Sequence, residues 1–359
     1  MKVIDADAHV LETEHTWDYL APEHLRYRPV LAPHPTNPVQ QYWIIDSKVR
    51  GFRFATLTER QQQALSEASG RDIVTPTGSA GMDDVALRLE HMDRLGIDIQ
   101  VLHNTLFIEQ ATDRPEVDVA ICKAWNRWMA DVWKQGNGRL LWTCVPPLLS
   151  IDHAIEEMRF ARANGAVGAL IRPIENDKML VDPYFYPIFE EAVRLDMPMA
   201  VHIANASQYV CDVMRTPYDF PVSTFLKFRL MTVGACFAVL MSSVPKLFPK
   251  LRWGFIESAA QWVPWIHNEV TRRARRADRD VVKDMFTATN IYVTCQTDDD
   301  IPYVLKYSGE DSLMIGTDYG HSDPSTELDA ISILRDNPDL TETVKRKILY
   351  ENPARLYGI

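Results

Sequence analysis

The sequence of 359 residues lacks the features of several specialised classes of protein. Its five cysteines are scattered, with no CxxC pair and no even framework, which favours a reducing compartment over a disulfide scaffold. Positive charge is also scarce. The net charge of −11 argues against nucleic acid as a partner, because a phosphate-binding surface needs a basic excess.

Long apolar segments are missing as well. No apolar run reaches about 18 residues without a charge, so we predict no membrane span. No charged-then-apolar leader precedes the first strand residues at Val3, and we find no internal repeat or low-complexity tract. What is present is an apolar fraction of 46% with nine tryptophans, enough for a large core. We therefore predict a cytoplasmic protein with no membrane partner.

Eight short apolar runs, rich in β-branched residues, alternate with longer helical patterns. The predicted strands are 3–8, 97–102, 140–145, 167–171, 199–203, 252–256, 291–294 and 313–316. The predicted helices include 84–95, 117–134, 151–163, 186–195, 263–275 and 326–335. This alternation predicts a parallel sheet, and eight units favour one (β/α)₈ barrel over residues 1–359. A doubly wound sheet, which shows the same alternation, is the alternative.

One segment, 21–81, interrupts the alternation. It is polar and proline-rich, carries "RPVLAPHPTNP", and contains a short run at 43–45 that could be a hairpin strand. An insertion after the first strand would lie at the carboxyl end of the barrel, where it could form a lid or a subunit contact. A partly mobile surface loop is the alternative interpretation.

The first strand, within "VIDADAHVLE", places Asp5, Asp7 and His9 at alternate positions. Alternation directs all three side chains to one face, and buried acids and imidazoles need partners there. A divalent cation is a partner that several of them can share. Asp5 has a second interpretation, since it could instead bind backbone amides and hold the barrel floor.

Other polar residues stand where the predicted strands end, which is where barrel enzymes carry their chemistry. They are His103 and Asn104 in "LHN", Arg172 in "IRP", His202 in "VHIAN", Glu257 in "FIES", and Asp318 and His321 in "GTDYGH". Each has an ordinary structural explanation alone, such as helix capping by Asp318. One metal site explains most of them together, and we predict Asp7, His9, His202 and Asp318 as its ligands. This nitrogen and oxygen set suits Zn²⁺, Mn²⁺ or Fe²⁺ better than a thiolate site would.

The order of these motifs resembles the amidohydrolase superfamily. The D-x-D-x-H pattern is followed by "VHIAN", "FIESAAQWVPW", "GTDYGHSD" and a closing "KILYENPARLYG", most similar to the branch named for aminocarboxymuconate semialdehyde decarboxylase. The resemblance covers nearly the whole chain, and 21–81 least. It implies a distorted (β/α)₈ TIM barrel with one catalytic divalent metal. It puts His9, His202 and Asp318 on metal-ligand positions.

The sequence departs from that family at three points. Asp7 takes the place of the first member of the usual H-x-H pair. Strand six of the decarboxylases ends in a His followed by glycines, whereas Glu257 stands here, so the family's proton-transfer residue does not carry over. The lysine that bridges two metals in dinuclear members is absent from "GALIRPI", so no carbamate-bridged pair is expected.

These residues suggest roles in catalysis. A divalent ion lowers the pKa of bound water and polarises a substrate oxygen. Asp318 could then accept a proton, as the resemblance implies, and Glu257 or His321 could supply the second proton transfer. Arg172 is the candidate to bind a substrate carboxylate, with an ion pair on the barrel rim as the alternative. His103 could bind substrate or simply hydrogen-bond to the ligands.

Two functions follow from this site. The first is a hydrolase or non-oxidative decarboxylase of a small cyclic or aromatic carboxylic acid, using one divalent ion, with Zn or Mn favoured. The second is a diiron hydroxylase that activates oxygen, if Glu257 and His321 help to bind two irons. The resemblance and the many tryptophans also suggest a homodimer.

Overall fold

The computed structural model describes residues 1–36, 41–53, 57–214, 224–277 and 282–359. Within them, eight parallel strands form one sheet in sequential order. We number them β1 to β8: Ile4–His9, Ile99–His103, Leu140–Cys144, Ala166–Ile171, Met199–His202, Trp253–Ile256, Ile291–Cys295 and Leu313–Ile315. The predicted barrel is confirmed, with all eight strands at the predicted places, and a doubly wound sheet is excluded by the strand order.

Helices surround the strands. The α-helices are Glu59–Ser69, Val85–Leu95, Pro115–Gln135, Ile151–Ala163, Tyr186–Leu195, Gln208–Met214, Leu230–Met241, Val244–Leu247, Val263–Arg276, Met285–Ala288, Ile301–Ser308, Ala330–Asp336, Glu342–Arg346 and Asn352–Tyr357. Short 3₁₀ segments are Glu14–Tyr19, Pro22–Tyr27, Leu106–Ile108 and Pro183–Phe185, and π-helical turns are Phe225–Arg229 and Lys347–Glu351. In the part of the chain that is described, no helix is both long and apolar enough to cross a bilayer.

Local chemistry explains where the helices begin and end. The helix Val85–Leu95 starts because the Asp84 carboxylate accepts a hydrogen bond from the Leu87 N–H, and it ends at Gly96 in the left-handed conformation. One predicted helix, 326–335, is wrong at its start. Residues 326–329 instead fold back on the loop after β8, where the Glu327 N–H donates to the Thr317 carbonyl, so the helix begins at Ala330.

The barrel interior is apolar at one end and polar at the other. At the amino end of the strands, Ile4, Val101 and Met314 pack with Leu356 and Tyr357 from the last helix. The Tyr357 hydroxyl donates to the Ala6 carbonyl at 3.1 Å. The segment "ARLYG" therefore closes the amino end of the barrel, and the polar residues lie at the carboxyl end.

The segment 21–81 is ordered where it is described. Its strands Val30–Pro33, Gln41–Ile45 and Lys48–Arg53 form an antiparallel sheet, so the hairpin strand predicted at 43–45 is confirmed. Trp43 is buried and packs edge-on against Trp17, with ring centroids 5.7 Å apart. The sheet thus has its own anchor on the barrel.

Candidate metal centre

Strands β1 and β8 meet at the edge where the polar side chains gather. The Asp318 N–H donates to the Asp7 carbonyl at 2.9 Å, and the His9 N–H donates to the Tyr319 carbonyl at 2.8 Å. Gly316 makes this approach possible, since a Cβ at that position would lie 2.1 Å from the Cβ of Asp7. The glycine of "GTDYGH" is therefore required by close backbone packing.

Asp5 has the structural role that the sequence left open for it. Its carboxylate accepts hydrogen bonds from the Thr317 N–H at 2.9 Å, the Thr317 hydroxyl at 2.6 Å and the Gln100 amide at 2.9 Å. Burial raises the pKa of Asp5 to about 6. Asp5 thus ties β8 to β1 and β2, and it stands outside the donor cluster.

Four buried side chains bring their donor atoms together above the barrel: Asp7, His9, His202 and Glu257. The Nε2 atom of His9 lies 3.1 Å from Nε2 of His202, 3.4 Å from Oδ1 of Asp7 and 3.4 Å from Oε2 of Glu257. Nε2 of His202 lies 3.5 Å from the same Asp7 oxygen and 3.2 Å from the Glu257 oxygen. Atoms that share one cation through bonds of about 2.1 Å lie about 3.0–3.4 Å apart.

The imidazole orientations fit a cation at this place. Nδ1 of His9 lies 2.9 Å from the Asn104 carbonyl, and Nδ1 of His202 lies 3.3 Å from the Ile203 carbonyl. Each carbonyl accepts an N–H from Nδ1, so in the neutral rings both Nε2 atoms carry lone pairs that face each other. In the part of the chain that is described, Asp7 Oδ1 and Glu257 Oε2 are buried and accept no hydrogen bond. A shared divalent cation would satisfy all four atoms.

A second set of donors overlaps the first: His9, Glu257, Asp318 and His321. Asp318 Oδ1 lies 2.8 Å from Nδ1 of His321 and 3.5 Å from Nε2 of His9. Its other oxygen accepts a hydrogen bond from the Thr326 hydroxyl at 2.8 Å. Nε2 of His321 lies 2.9 Å from the Thr105 hydroxyl, which itself donates to the Val10 carbonyl. Asp318 and His321 therefore form a buried pair beside the first set.

Both acids that come from β6 and β8 have strained backbones. Glu257 has φ of 60° and Asp318 has φ of 52°, in the left-handed region that costs a residue other than glycine about 1–3 kcal/mol. Each is held by neighbours: the Glu257 N–H donates to the Thr294 hydroxyl at 2.7 Å, and Asp318 is bonded to β1. Strain of this kind is concentrated at functional sites.

The charges of the cluster are shifted by burial and by one another. Burial and then the Asp318 carboxylate raise the pKa of Glu257 well above its usual value. Burial opposes ionisation of Asp7, but protons on the imidazoles of His202 and His9 would outweigh it and lower the Asp7 pKa. Burial lowers the pKa of His321, but the neighbouring carboxylates, Asp318 first, outweigh it and raise that pKa to about 9. The His321 ring is thus held as a cation beside Asp318.

The sequence also singled out Arg172 and His103 as substrate-binding residues. Arg172 is buried and makes two hydrogen bonds to the Glu175 carboxylate, at 2.7 and 2.6 Å, and further bonds to the Phe107 and Glu109 carbonyls. This is the ion pair given above as the alternative, and it occupies the guanidinium. His103 lies below the donors, 3.3 Å from the Ala6 carbonyl and 3.2 Å from the Thr143 hydroxyl.

Sequence reasoning missed three residues that matter here. Thr105 hydrogen-bonds to His321, and Thr326 hydrogen-bonds to Asp318. The positive charge of Arg229 partly offsets the rise in the pKa of Glu257. Threonines in loops carry no pattern that would have marked them. Arg229 stands in "FLKFRL", where nothing in the sequence distinguishes it from a surface cation.

An eight-stranded parallel barrel with a buried cluster of imidazoles and carboxylates at its carboxyl end defines a metal-dependent barrel enzyme. The chain belongs to the amidohydrolase family, whose model, described as "Amidohydrolase", matches residues 4–359. It is an enzyme of the hydrolase or carboxy-lyase type. The family expected from the motifs is thereby confirmed.

Individual known proteins are similar to this chain. One is a 2-amino-3-carboxymuconate-6-semialdehyde decarboxylase from Dictyostelium discoideum, 21% identical over 77% of both chains. Another is an amidohydrolase structure from Mycobacterium avium subsp. paratuberculosis K-10, with 18% identity, 99% of both chains covered and a TM-score of 0.79. A third is a 5-carboxyvanillate decarboxylase from Novosphingobium aromaticivorans DSM 12444 complexed with manganese. It has 16% identity, 100% of this chain and 96% of the other covered, and a TM-score of 0.65.

The two structures support the barrel fold at this level of identity. The decarboxylase from Dictyostelium belongs to the branch that the motifs resemble. None of the three relatives is named as an oxygenase, so the diiron hydroxylase that the sequence left as an alternative has no support from them.

Proposed function

We propose that the protein removes carbon dioxide, without oxidation, from a small cyclic or aromatic carboxylic acid, with hydrolysis of such a compound as the second candidate. The observation that carries this proposal is the buried pair of Asp318 and His321 beside the metal donors. Decarboxylation leaves a carbanion that must receive a proton on carbon, and a protonated imidazole next to the ion can supply it. The relatives named as decarboxylases of 5-carboxyvanillate and of 2-amino-3-carboxymuconate-6-semialdehyde support the choice of decarboxylation, and the first of them supports an aromatic acid.

We propose that Asp7, His9 and His202, whose donor atoms lie close together, hold the ion. Manganese or zinc suits a mixed set of imidazoles and carboxylates, and the manganese-bound relative supports the former. The ion would act as a Lewis acid that polarises a substrate oxygen. The protein's own part is to hold the donors rigidly, through Asn104 behind His9 and through the seam between β1 and β8.

His321 is the proposed proton donor, and Asp318 is the residue that positions it. The 2.8 Å contact of Nδ1 with Asp318 fixes the ring, and the proton would leave from Nε2, whose partner in the structure is the Thr105 hydroxyl at 2.9 Å. The His9 ring stacks on it at 3.8 Å between centroids, which sets its plane. In hydrolysis the same pair would pass the proton to a leaving group, so the pair serves either candidate reaction.

The segment 21–81 is proposed as a lid over the substrate. A cavity beside His321 is lined by Leu57, Gln62, Thr75 and Pro76 from this segment, and by Leu11 from the loop after β1. Gln62 and Thr75 are hydrogen-bonded to each other in both directions, at 3.0 Å each. The cavity has a volume of about 30 Å³, so a substrate ring would enter only if the segment moved away, as a lid does.

Arg229 is the proposed partner of the substrate carboxylate, in place of Arg172. It lies at the end of the π-helical turn Phe225–Arg229, which is fastened to the loop after β5 by the Asn205 amide on the Lys227 carbonyl. Among the residues described, none forms a hydrogen bond or an ion pair with its half-buried guanidinium. Its positive charge favours the ionised form of the Glu257 carboxylate. Turns of this kind are frequent at functional sites.

Replacing Arg229 with glutamine should raise KM for the acid, because one charge-assisted hydrogen bond is worth about 1.5–3 kcal/mol, or roughly 10- to 100-fold. The kcat should change less than KM, since the residue binds the substrate in ground and transition states alike. Steady-state kinetics would measure both. Arg272→Gln is the matched control, because Arg272 lies exposed on Val263–Arg276 and pairs with Glu269. Equal KM values in the two variants would refute the assignment.

The proposed reaction can be tested directly. Manganese-loaded enzyme should release carbon dioxide from hydroxylated benzoic acids under anaerobic conditions, and metal-free enzyme should not. The measurement is headspace carbon dioxide together with the decarboxylated product by mass spectrometry. Release of a hydrolysis product without carbon dioxide would favour the second candidate, and uptake of oxygen coupled to turnover would contradict both.

Three broader predictions also remain proposals: one domain over 1–359, a cytoplasmic location and a homodimer. Five cysteines, all buried with free thiols, support a reducing compartment. The apolar helix Leu230–Met241, with partly exposed Phe237 and Leu240, supports an additional contact on that side of the barrel.

A further inference from the structure

The resemblance places the last metal ligand at Asp318, but the geometry distributes the acids differently. The donor set that surrounds His9 and His202 contains Asp7 and Glu257, and Asp318 is not a member of it. Glu257 Oε2 is 3.4 Å from His9 and 3.2 Å from His202, so it faces both imidazoles. Asp318 comes within 3.5 Å of His9, and its closest contact is the 2.8 Å one with His321.

The two acids also differ in what their unbonded oxygens face. Within the described ranges, each has one buried oxygen that accepts no hydrogen bond; in Asp318 this is Oδ1, which lies 2.8 Å from Nδ1 of His321, while the other oxygen accepts from the Thr326 hydroxyl. Glu257 is 4% exposed, and one of its oxygens lies 3.3 Å from the Ser325 hydroxyl. The other, Oε2, is buried and accepts no hydrogen bond from any residue described. That oxygen is the one directed at the two imidazoles.

We infer that Glu257, which directly follows β6, completes the donor set with Asp7, His9 and His202, and that Asp318 does not bind the metal but positions His321. The strained backbone of Glu257 and its bond to Thr294 serve to aim this carboxylate. Strand six therefore supplies a ligand in this chain, and strand eight supplies the pair that handles the proton. The inference relies on the proposed function only for the presence of a resident divalent ion.

Two variants distinguish this assignment from the one that the resemblance implies. Each replaces a carboxylate by the amide of the same shape, so both lose one negative charge. Glu257→Gln should bind Mn²⁺ at least about 100-fold more weakly than the wild type, since loss of even an outer-sphere partner costs about 10- to 100-fold. Asp318→Asn should keep one ion per chain with affinity within a few-fold of the wild type. Isothermal titration with Mn²⁺ on chelator-treated protein, followed by elemental analysis, measures both without any substrate.

The opposite pattern, with the ion lost from Asp318→Asn and retained by Glu257→Gln, would overturn the inference. Two ions in the wild type and one in Asp318→Asn would also overturn it, because Asp318 would then be a ligand of a second ion. Far-UV circular dichroism checks the fold of each variant. If Glu257→Gln does not fold, Glu257→Asp replaces it, because its shorter side chain withdraws the carboxylate from the two imidazoles and should weaken Mn²⁺ binding in the same way. Loss of the ion from Asp318→Asn would still overturn the inference. Failure of the carbon dioxide assay would leave these binding results unaffected.

Discussion

Replacing His202 with alanine is expected to remove the divalent ion and the activity together, while the barrel stays folded. The Nε2 atom of His202 lies within 3.5 Å of all three other donors in the set, so its loss opens one side of the site. Metal affinity should fall by more than about 100-fold, the upper range for loss of an outer-sphere partner. Elemental analysis of protein purified without chelator and a steady-state assay measure the two effects.

The fold should survive because His202 contributes little to the core. Its ring is bonded to the Ile203 carbonyl, whereas β5 is held by its ladders with β4 and β6. His153→Ala is the matched control, since His153 is exposed on the helix Ile151–Ala163, where its ring lies 2.8 Å from the hydroxyl of the cap residue Ser150. Full metal occupancy in His202→Ala would contradict the ligand assignment. A partly folded variant would show that ion binding contributes to the stability of the barrel.

The sequence predicts the strands well because each barrel strand is a short run in which at most one residue is partly exposed. β4, for example, is buried throughout Ala166–Ile171, and its apolar residues stand out between polar helices. Helix ends are also predictable where a local cap exists, as at Asp84. The start of Ala330–Asp336 is not predictable, since Thr326 and Glu327 bind to Asp318 and Thr317 in the loop after β8, through contacts that no local pattern records.

The site was predictable in its members and not in their roles. Position at a strand end marks Asp7, His9 and His202, because strand ends converge at one rim. Whether Glu257 or Asp318 points at the imidazoles depends on backbone angles and side-chain length. The role of Arg172 was also not predictable. Its guanidinium pairs with the Glu175 carboxylate three residues later, and Glu175 lies in the short hairpin of Ile174–Glu175 with Lys178–Met179.

Replacing His321 with glutamine should lower kcat by about 100- to 10,000-fold, the usual contribution of a positioned acid or base. An amide can still hydrogen-bond to Asp318 and Thr105, but it has no proton to give at neutral pH. Metal content should match the wild type, because His321 lies outside the donor set of His9 and His202. KM should change little, since the substrate carboxylate is assigned to Arg229. Single-turnover assays with elemental analysis of the same sample separate these quantities.

This result would distinguish a proton donor from a structural residue. A histidine that only filled space beside His9 could be replaced by glutamine with a modest loss of stability and an unchanged kcat. A histidine that bound a second ion would reduce the metal content when replaced. Only a role in proton transfer predicts that the variant keeps its full metal content and its fold while the chemical step becomes slow. In deuterated water the wild type should place deuterium on the carbon that loses the carboxylate, and the step should remain slow in His321→Gln until an external acid such as imidazolium is added.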